Sequence, residues 1–397
     1  MDQREEFARL ALAPGANKRE LCRRFGISRS KAYKWLGRYA SEGREGLADR
    51  SRRPRRSPTR TSAAVEAEIL RIRAESNNAW GARKIAVVLG RDSEAVPAVS
   101  TITEVLRRHG RLGQRACEHP GPYQRFERTE PNELWQMDFK GDFATGRGRC
   151  YPLTVIDDHS RYSLGIEACG TQQDGSTRER LVAVFRRYGL PETLLMDNGS
   201  PWGDSGGGRF TAFSVWLVRL GVRVTHGRPY HPQTQGKDER FHRTLKAELL
   251  SGQHFADLMQ CQLAFDRWRH VYNHERPHQG IGMAVPSDRY RPSGRAKPEA
   301  LPPIEYGPDD IVRKADQDGD ISFRTRRIRL GKPFRRQPIA VRPTTQDGVF
   351  SIHFCSQQIG TVDLRMTKTA GSVVDIPTAM PTTSSAHNEH HSSETCI

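Results

Sequence analysis

Near residue 131 the apolar rhythm of this chain changes from helical spacing to alternation, a shift from all-helical to α/β character that any fold for it must accommodate. Upstream, apolar residues recur at three- and four-residue steps, as in Leu21/Phe25 and Ala32/Leu36/Tyr39. Downstream, Trp135, Met137 and Phe139 alternate with Gln136, Asp138 and Lys140, the two-residue period of a strand. The chain has 397 residues, and at roughly 100–200 residues per domain it has room for two to four domains. Its apolar runs are only a few residues long, whereas a spanning helix needs about 20, so no membrane association is expected. Seven scattered cysteines without a CxxC pair argue against a disulfide scaffold or a Cys-based zinc site and fit a reducing cytoplasm.

Charge follows the same division. The chain carries a net +17, and residues 1–128 hold 28 Lys+Arg against 15 Asp+Glu. A basic N-terminal third points to a polyanionic partner, most simply nucleic acid.

Residues 1–50 read as three short helices in a helix-turn-helix layout. Gly26 allows the tight turn, Ile27 plugs the core and Ser28 caps the third helix. Arg29, Ser30, Lys31, Tyr33 and Lys34 lie exposed at the start of that helix, where such a motif meets the major groove. Residues 51–61 are an Arg-rich linker, in which Arg52, Arg53, Arg55 and Arg56 could track a minor groove. Residues 62–112 suggest a second helix-turn-helix-like domain, with Ser100 expected to cap its last helix, and 113–130 a polar linker. The region 131–290 orders as β-β-β-α-β-α-β-α, the succession of a ribonuclease H-like α/β core. Residues 300–370 show six short strands and are expected to close into a small β-barrel, and the Ser/Thr/His-rich 377–397 tail to be disordered.

Three acidic residues stand out in the α/β region. Asp138 lies along the first strand, Asp197 ends the apolar run Leu194-Leu195-Met196, and Glu239 falls in the first turn of the helix that buries Phe241, Leu245 and Leu249. In a ribonuclease H-like sheet the first and fourth strands are neighbours, so Asp138 and Asp197 can converge. Carboxylates gathered there would hold hard divalent cations, and two such ions can serve phosphoryl transfer. His242, Arg243 and Lys246 follow Glu239 by three, four and seven residues and share its face, where they could neutralise phosphates.

Five sequence words occur in order: Trp135-Gln-Met-Asp-Phe139, Val155-Ile-Asp-Asp-His-Ser-Arg-Tyr162, Met196-Asp-Asn-Gly-Ser200, the long segment from Arg228 to Lys246, and Tyr272-Asn-His-Glu-Arg-Pro-His278. This pattern resembles the integrase-type DDE transposases of bacterial insertion sequences, whose core is similar to that of retroviral integrases. The resemblance spans about 15–290 and is most specific over 131–290. It implies that Asp138, Asp197 and Glu239 are catalytic and hold two Mg²⁺ (or Mn²⁺) ions. It further implies that Gln233 and Gln235 lie in a loop that positions DNA.

The implied partners are double-stranded DNA, as transposon ends and target, and further copies of the chain, in a dimer or larger assembly on DNA. The implied location is the cytoplasm, at the nucleoid. Asp238 stands where the family usually has a small apolar residue and is a rival ligand, ranked below Glu239 because adjacent helix positions point about 100° apart. Asp157 and Asp158 are read as strand-end structure. Two other readings of the chain are a nonenzymatic DNA-binding regulator with a decayed core and a ribonuclease H-like nuclease.

Overall fold

The computed structural model describes residues 3–50, 60–92, 94–112, 127–197, 202, 210–226, 236–365 and 373–375. Most of the Arg-rich linker, the 113–126 segment, the loop carrying Gln233 and Gln235, and the 377–397 tail lie outside them. The chain divides into two units, Met1–Ser62 and Ala63–Ile397.

The first unit holds α1 (Gln3–Ala11), α2 (Lys18–Arg24) and α3 (Arg29–Glu42). Phe7, fully buried, anchors it, with Phe25 and Trp35 set edge-on at 5.5 and 6.2 Å. Asn17 caps α2 and Ser28 caps α3, each through its side-chain oxygen. Between those helices Gly26 takes φ +62°, a conformation costly to any residue with a Cβ.

The second unit begins with a helical bundle of α4 (Ala63–Glu75), α5 (Ala82–Asp92) and α6 (Val99–Arg108), closed around Ile69, Ile72, Ile85, Ile102 and Leu106. Helix α6 starts ahead of the expected position. Its cap is Ala98, without a side-chain bond, and Ser100 lies inside the helix.

A mixed sheet follows, from β1 (Leu134–Phe139), β2 (Phe143–Thr145), β3 (Gly148–Asp157), β4 (Ser163–Cys169), β5 (Thr193–Met196) and β6 (Arg223–His226), with α7 (Asp174–Tyr188) between β4 and β5 and α8 (Ala212–Arg219) between β5 and β6. Strand order is β2-β3-β1-β5-β6, with β4 also on β3. Strands β1, β3 and β4 pair antiparallel, and β1, β5 and β6 parallel. This is the strand succession expected from the sequence for the α/β core. Helices α9 (Gly236–Leu245) and α10 (Leu258–His274) complete it.

Both faces of the sheet are covered. Trp135, Met137, Leu153 and Val155 pack toward α7 and α8, while Ile156, Ile166 and Ala168 pack with Phe241, Leu245 and Phe265 of α9 and α10. Alternation along β1 therefore sends Asp138 to the α9/α10 side.

The C-terminal strands are β7 (Ile311–Lys314), β8 (Asp320–Phe323), β9 (Arg326–Arg329), β10 (Pro338–Pro343), β11 (Val349–Phe354), β12 (Gln357–Asp363) and β13 (Val373–Asp375). The expected barrel does not close among the described residues. The strands form two open sheets, β12-β11-β10-β7 and β13-β9-β8. The physical reason is that their apolar residues belong to the core of the larger sheet: Phe334 sits 5.3 Å from Phe210, and Ile321, Ile339 and Ile352 share one cluster with Phe213 and Trp216. The turn at Gly319 admits no side chain, because a Cβ there would lie 1.9 Å from the Gly331 carbonyl. None of the described helices is long and apolar enough to cross a membrane.

Candidate active site and nucleic-acid interface

Asp138 and Asp197 meet because β1 and β5 are parallel neighbours, with Gln136 opposite Leu195, so both carboxylates emerge at the same strand ends. Burial, then the nearby Asp197 carboxylate, pushes the Asp138 carboxyl up to about 7. Asp197 is exposed, and its backbone carbonyl accepts a bond from His226 Nδ1 at 2.8 Å, across the β5–β6 pair. The other ring nitrogen of His226 is buried without a hydrogen-bond partner, and burial lowers its basicity.

Asp138 is tied from the opposite side. Thr154, its register partner on β3, donates to the Asp138 carbonyl at 3.0 Å. Having one hydroxyl hydrogen, Thr154 must then accept from His242 Nε2, 2.8 Å away on α9. His242 is thus a half-buried neutral imidazole whose Nε2 faces the protein, rather than a side chain extended toward a phosphate.

Helix α9 brings up the third acidic position. Glu239 is exposed in its first turn, while Asp238 is buried with Oδ1 unpartnered. Burial, then Asp138 and Asp158, raise the Asp238 carboxyl well above the usual range. The structure therefore brings Asp138 together with Asp197 and Asp238, and sets Glu239 one residue away at the surface. Sequence reading missed the burial of Asp238, although the signal was present: 238, 241 and 245 are the i, i+3, i+7 stripe of α9.

Asp157 and Asp158 have structural partners. Asp157 accepts from the backbone N–H groups of Asn132 and Ser160 and from the Ser160 hydroxyl. Asp158 accepts from Gln136 and the Arg128 backbone and pairs with Lys237.

Among the described residues no three acidic, His or Cys side chains form a ready-made metal cage. The donor chemistry nevertheless suits a hard cation. Two carboxylates repel one another at the strand ends, beside a buried carboxylate oxygen with no partner, and oxygen ligands of this kind are what Mg²⁺ takes.

Around the site lie exposed Arg243 and Lys246 and half-buried Lys140, whose ammonium is made less basic by burial and by Lys246. Lys140 was not among the residues expected from sequence. In the first unit Arg29, Ser30, Lys31, Tyr33 and Lys34 are all exposed at the start of α3; Tyr33 is 61% accessible, with Lys18 Nζ 5.8 Å from its ring centroid. Arg52, Arg53, Arg55, Arg56, Gln233 and Gln235 lie outside the described residues.

Residues 128–232 and 220–286 each match a model of the integrase core domain. Residues 310–370 match the C-terminal domain of the IS481 family transposase. Residues 3–55 match a helix-turn-helix domain, and 31–106 a homeodomain-like domain. Over 236 residues the chain is 27% identical to the insertion element IS476 uncharacterized 39.2 kDa protein of Xanthomonas euvesicatoria, covering 58% of this chain and 65% of that one. Over 168 residues it is 28% identical to the transposase for insertion sequence element IS904 of Lactococcus lactis subsp. lactis, covering 42% and 64%. The chain thus spans less than two thirds of the length of the curated relatives it matches. A simian T-cell lymphotropic virus intasome aligns over 73% of this chain and 97% of its own at 14% identity, with a TM-score of 0.36, too low to bear on the fold.

Proposed function

We infer from these matched segments that the chain is an insertion-sequence transposase with an integrase-type core, and we propose that it binds the ends of its element and performs DNA cleavage and strand transfer. The observation that carries the reading is the convergence of Asp138 and Asp197 at neighbouring strand ends of an integrase core, in a chain that also bears helix-turn-helix segments.

Asp138, Asp197 and Glu239 would hold the metal, as two Mg²⁺ or Mn²⁺ ions per site. The chemistry such ions would supply when bound is electrostatic stabilisation of the attacking and leaving oxygens of phosphoryl transfer. The protein's own groups fix the geometry. His226 holds the Asp197 backbone, and Thr154 with His242 holds the Asp138 backbone to α9. Arg243, Lys246 and Lys140 offset the charge of the DNA phosphates.

In the first step water forms a bond to phosphorus at the element end and the 3′ oxygen leaves, giving a free 3′-OH. In the second, that 3′ oxygen bonds to a target phosphorus and the target's bridging oxygen leaves. Each step exchanges one P–O bond for another, so no covalent protein–DNA link is required. Arg29, Ser30, Lys31, Tyr33 and Lys34 read the element end, assisted by the arginines of the 51–61 linker, and two ends are joined by a dimer or larger assembly.

The test is a strand-transfer assay using DNA carrying the inverted repeats that flank the reading frame, with Mg²⁺ or Mn²⁺. Joined products from the wild type and none from Asp138→Asn support the reading. Cleavage of RNA–DNA hybrids with no joining would favour a nuclease, and end binding with neither activity a regulator.

A further inference from the structure

The turn between α4 and α5 reaches across to the far end of the catalytic helix. Asn77 and Asn78 adopt φ +52° and +56°, a left-handed turn that Asn tolerates better than most residues. Asn77 Nδ2 donates to the carbonyls of Ala247 and Ser251, at 3.3 and 3.4 Å. Those carbonyls belong to a wide turn. After Leu245 the α-helix gives way to a π-helical turn, Lys246–Leu250, a rare form that recurs at functional sites.

One turn along, Trp80 Nε1–H donates to Glu248 Oε1 at 3.2 Å. Arg276 holds both oxygens of the same carboxylate, at 2.9 and 3.2 Å, with side-chain accessibilities of only 6% for Glu248 and 10% for Arg276. A buried ion pair of this kind is costly to break, since either partner alone would be an uncompensated charge. Arg276 also lies over Tyr272, whose ring meets Phe241 of α9 edge-on at 5.0 Å. Beside this cluster Arg91 donates to the Glu275 carbonyl at 2.7 Å, and Val271 of α10 packs into the core of the bundle.

Two features of the sequence thereby gain a joint physical role. The Tyr272–His278 word receives the bundle, and the α4–α5 turn supplies it. We propose that Glu248 is a positioning residue: shared by Trp80 of the bundle and Arg276 of the core, it locks the register of α9 to the bundle and so fixes where Glu239 stands. Nine helical steps, through the end of α9 and into the π-turn, separate Glu239 from Glu248, about 13 Å at the α-helical rise. The bonding network is independent of function, but its use in catalysis rests on the transposase reading above.

Two variants of the full chain test it. Trp80→Phe keeps an aromatic ring, a smaller one, and removes the indole donor. Glu248→Gln keeps the shape and removes the charge opposite Arg276. The first measurement is backbone hydrogen exchange without DNA. Both variants should accelerate exchange of residues 76–85 and 237–250 together, by about tenfold or more, the value of one hydrogen bond to a charged group, with β3 and β4 unchanged. If Trp80→Phe accelerates 76–85 alone, the lock is refuted.

The second measurement is strand transfer at saturating element-end DNA. Each variant should lower kcat by about tenfold while end affinity stays within about twofold, and the double variant should resemble the singles, as coupled sites do. Weakened end binding with kcat unchanged would overturn the positioning role. A wild type that joins no DNA would refute the transposase reading, while hydrogen exchange would still decide the lock.

Discussion

His242 gives the site a calculable acid sensitivity. Its imidazole, half-buried and held by Thr154, is pushed down to about 4, chiefly by burial and then by Lys140. The unfolded value is near 6.5, so between about pH 4 and 6.5 the unfolded chain binds the extra proton. Stability from this group is therefore complete above about pH 6.5 and is lost as pH falls toward 4.

A 2.5-unit difference corresponds to roughly 3 kcal/mol at about 1.36 kcal/mol per unit, and partial exposure of the ring reduces this to about 1.5–2 kcal/mol. His242→Gln places a non-titrating amide donor toward Thr154. In urea titrations with EDTA, the variant should equal or fall slightly below wild type at pH 8. Near pH 4.5 it should be more stable by about 1.5 kcal/mol. Other low-lying histidines, His226 and His278, are present in both proteins and cancel in the difference. A difference that stays constant from pH 8 to 4.5 would refute the assigned burial and hydrogen bond.

Asp138→Asn, Asp197→Asn and Glu239→Gln should each lower strand transfer by at least about a hundredfold while leaving end binding nearly intact, and Mg²⁺ should raise the melting temperature of wild type more than theirs. Asp238→Asn decides the third position: retained activity assigns the ligand to Glu239, whereas a dead Asp238→Asn beside an active Glu239→Gln assigns it to the buried neighbour. Lys31→Ala or Lys34→Ala should weaken end binding and reduce the slope of log affinity against log salt by about 1 for each phosphate no longer neutralised, read by anisotropy across a salt series. Asn273→Ala removes both bonds that clamp the Ser163 backbone, at 2.8 and 2.9 Å, and should cost about 1–3 kcal/mol in denaturant unfolding. Sedimentation of the DNA complex should show two or more chains per joined pair of ends, and a one-chain complex that completes concerted joining would contradict the assembly.

Local pattern made much of this legible. Alternation along 134–139 marks β1 and puts Asp138 opposite Trp135, Met137 and Phe139; the Gly26-Ile27-Ser28 turn and its cap follow from glycine's backbone freedom and serine's side-chain oxygen. What escaped was set by neighbours distant in sequence. Nothing near His226 announces a bond to Asp197, and nothing near His242 points to Thr154, 88 residues earlier. The C-terminal strands could be found from their turns. Whether they close into a barrel depended on what their apolar side chains would meet, and Phe334 meets Phe210. The π-turn at Lys246–Leu250 is likewise invisible to periodicity, since the carbonyls it frees are satisfied by Asn77, some 170 residues away.

Strand β6 ends the large sheet, and Gln357 of β12 lies alongside it, accepting from Val224 N–H and donating to Val224 C=O, both at 3.1 Å. A single primary amide there imitates the peptide group of a next strand, where the described residues supply none. The border of the sheet is thus sealed by this molecule's own side chain, where an open border would invite a second copy to add on. A fragment cut off before residue 300 would lose that seal, together with the apolar cover that the C-terminal strands lay over the α8 side. Self-association of such a fragment would report a broken border, and its stoichiometry would say little about how many intact chains gather on DNA.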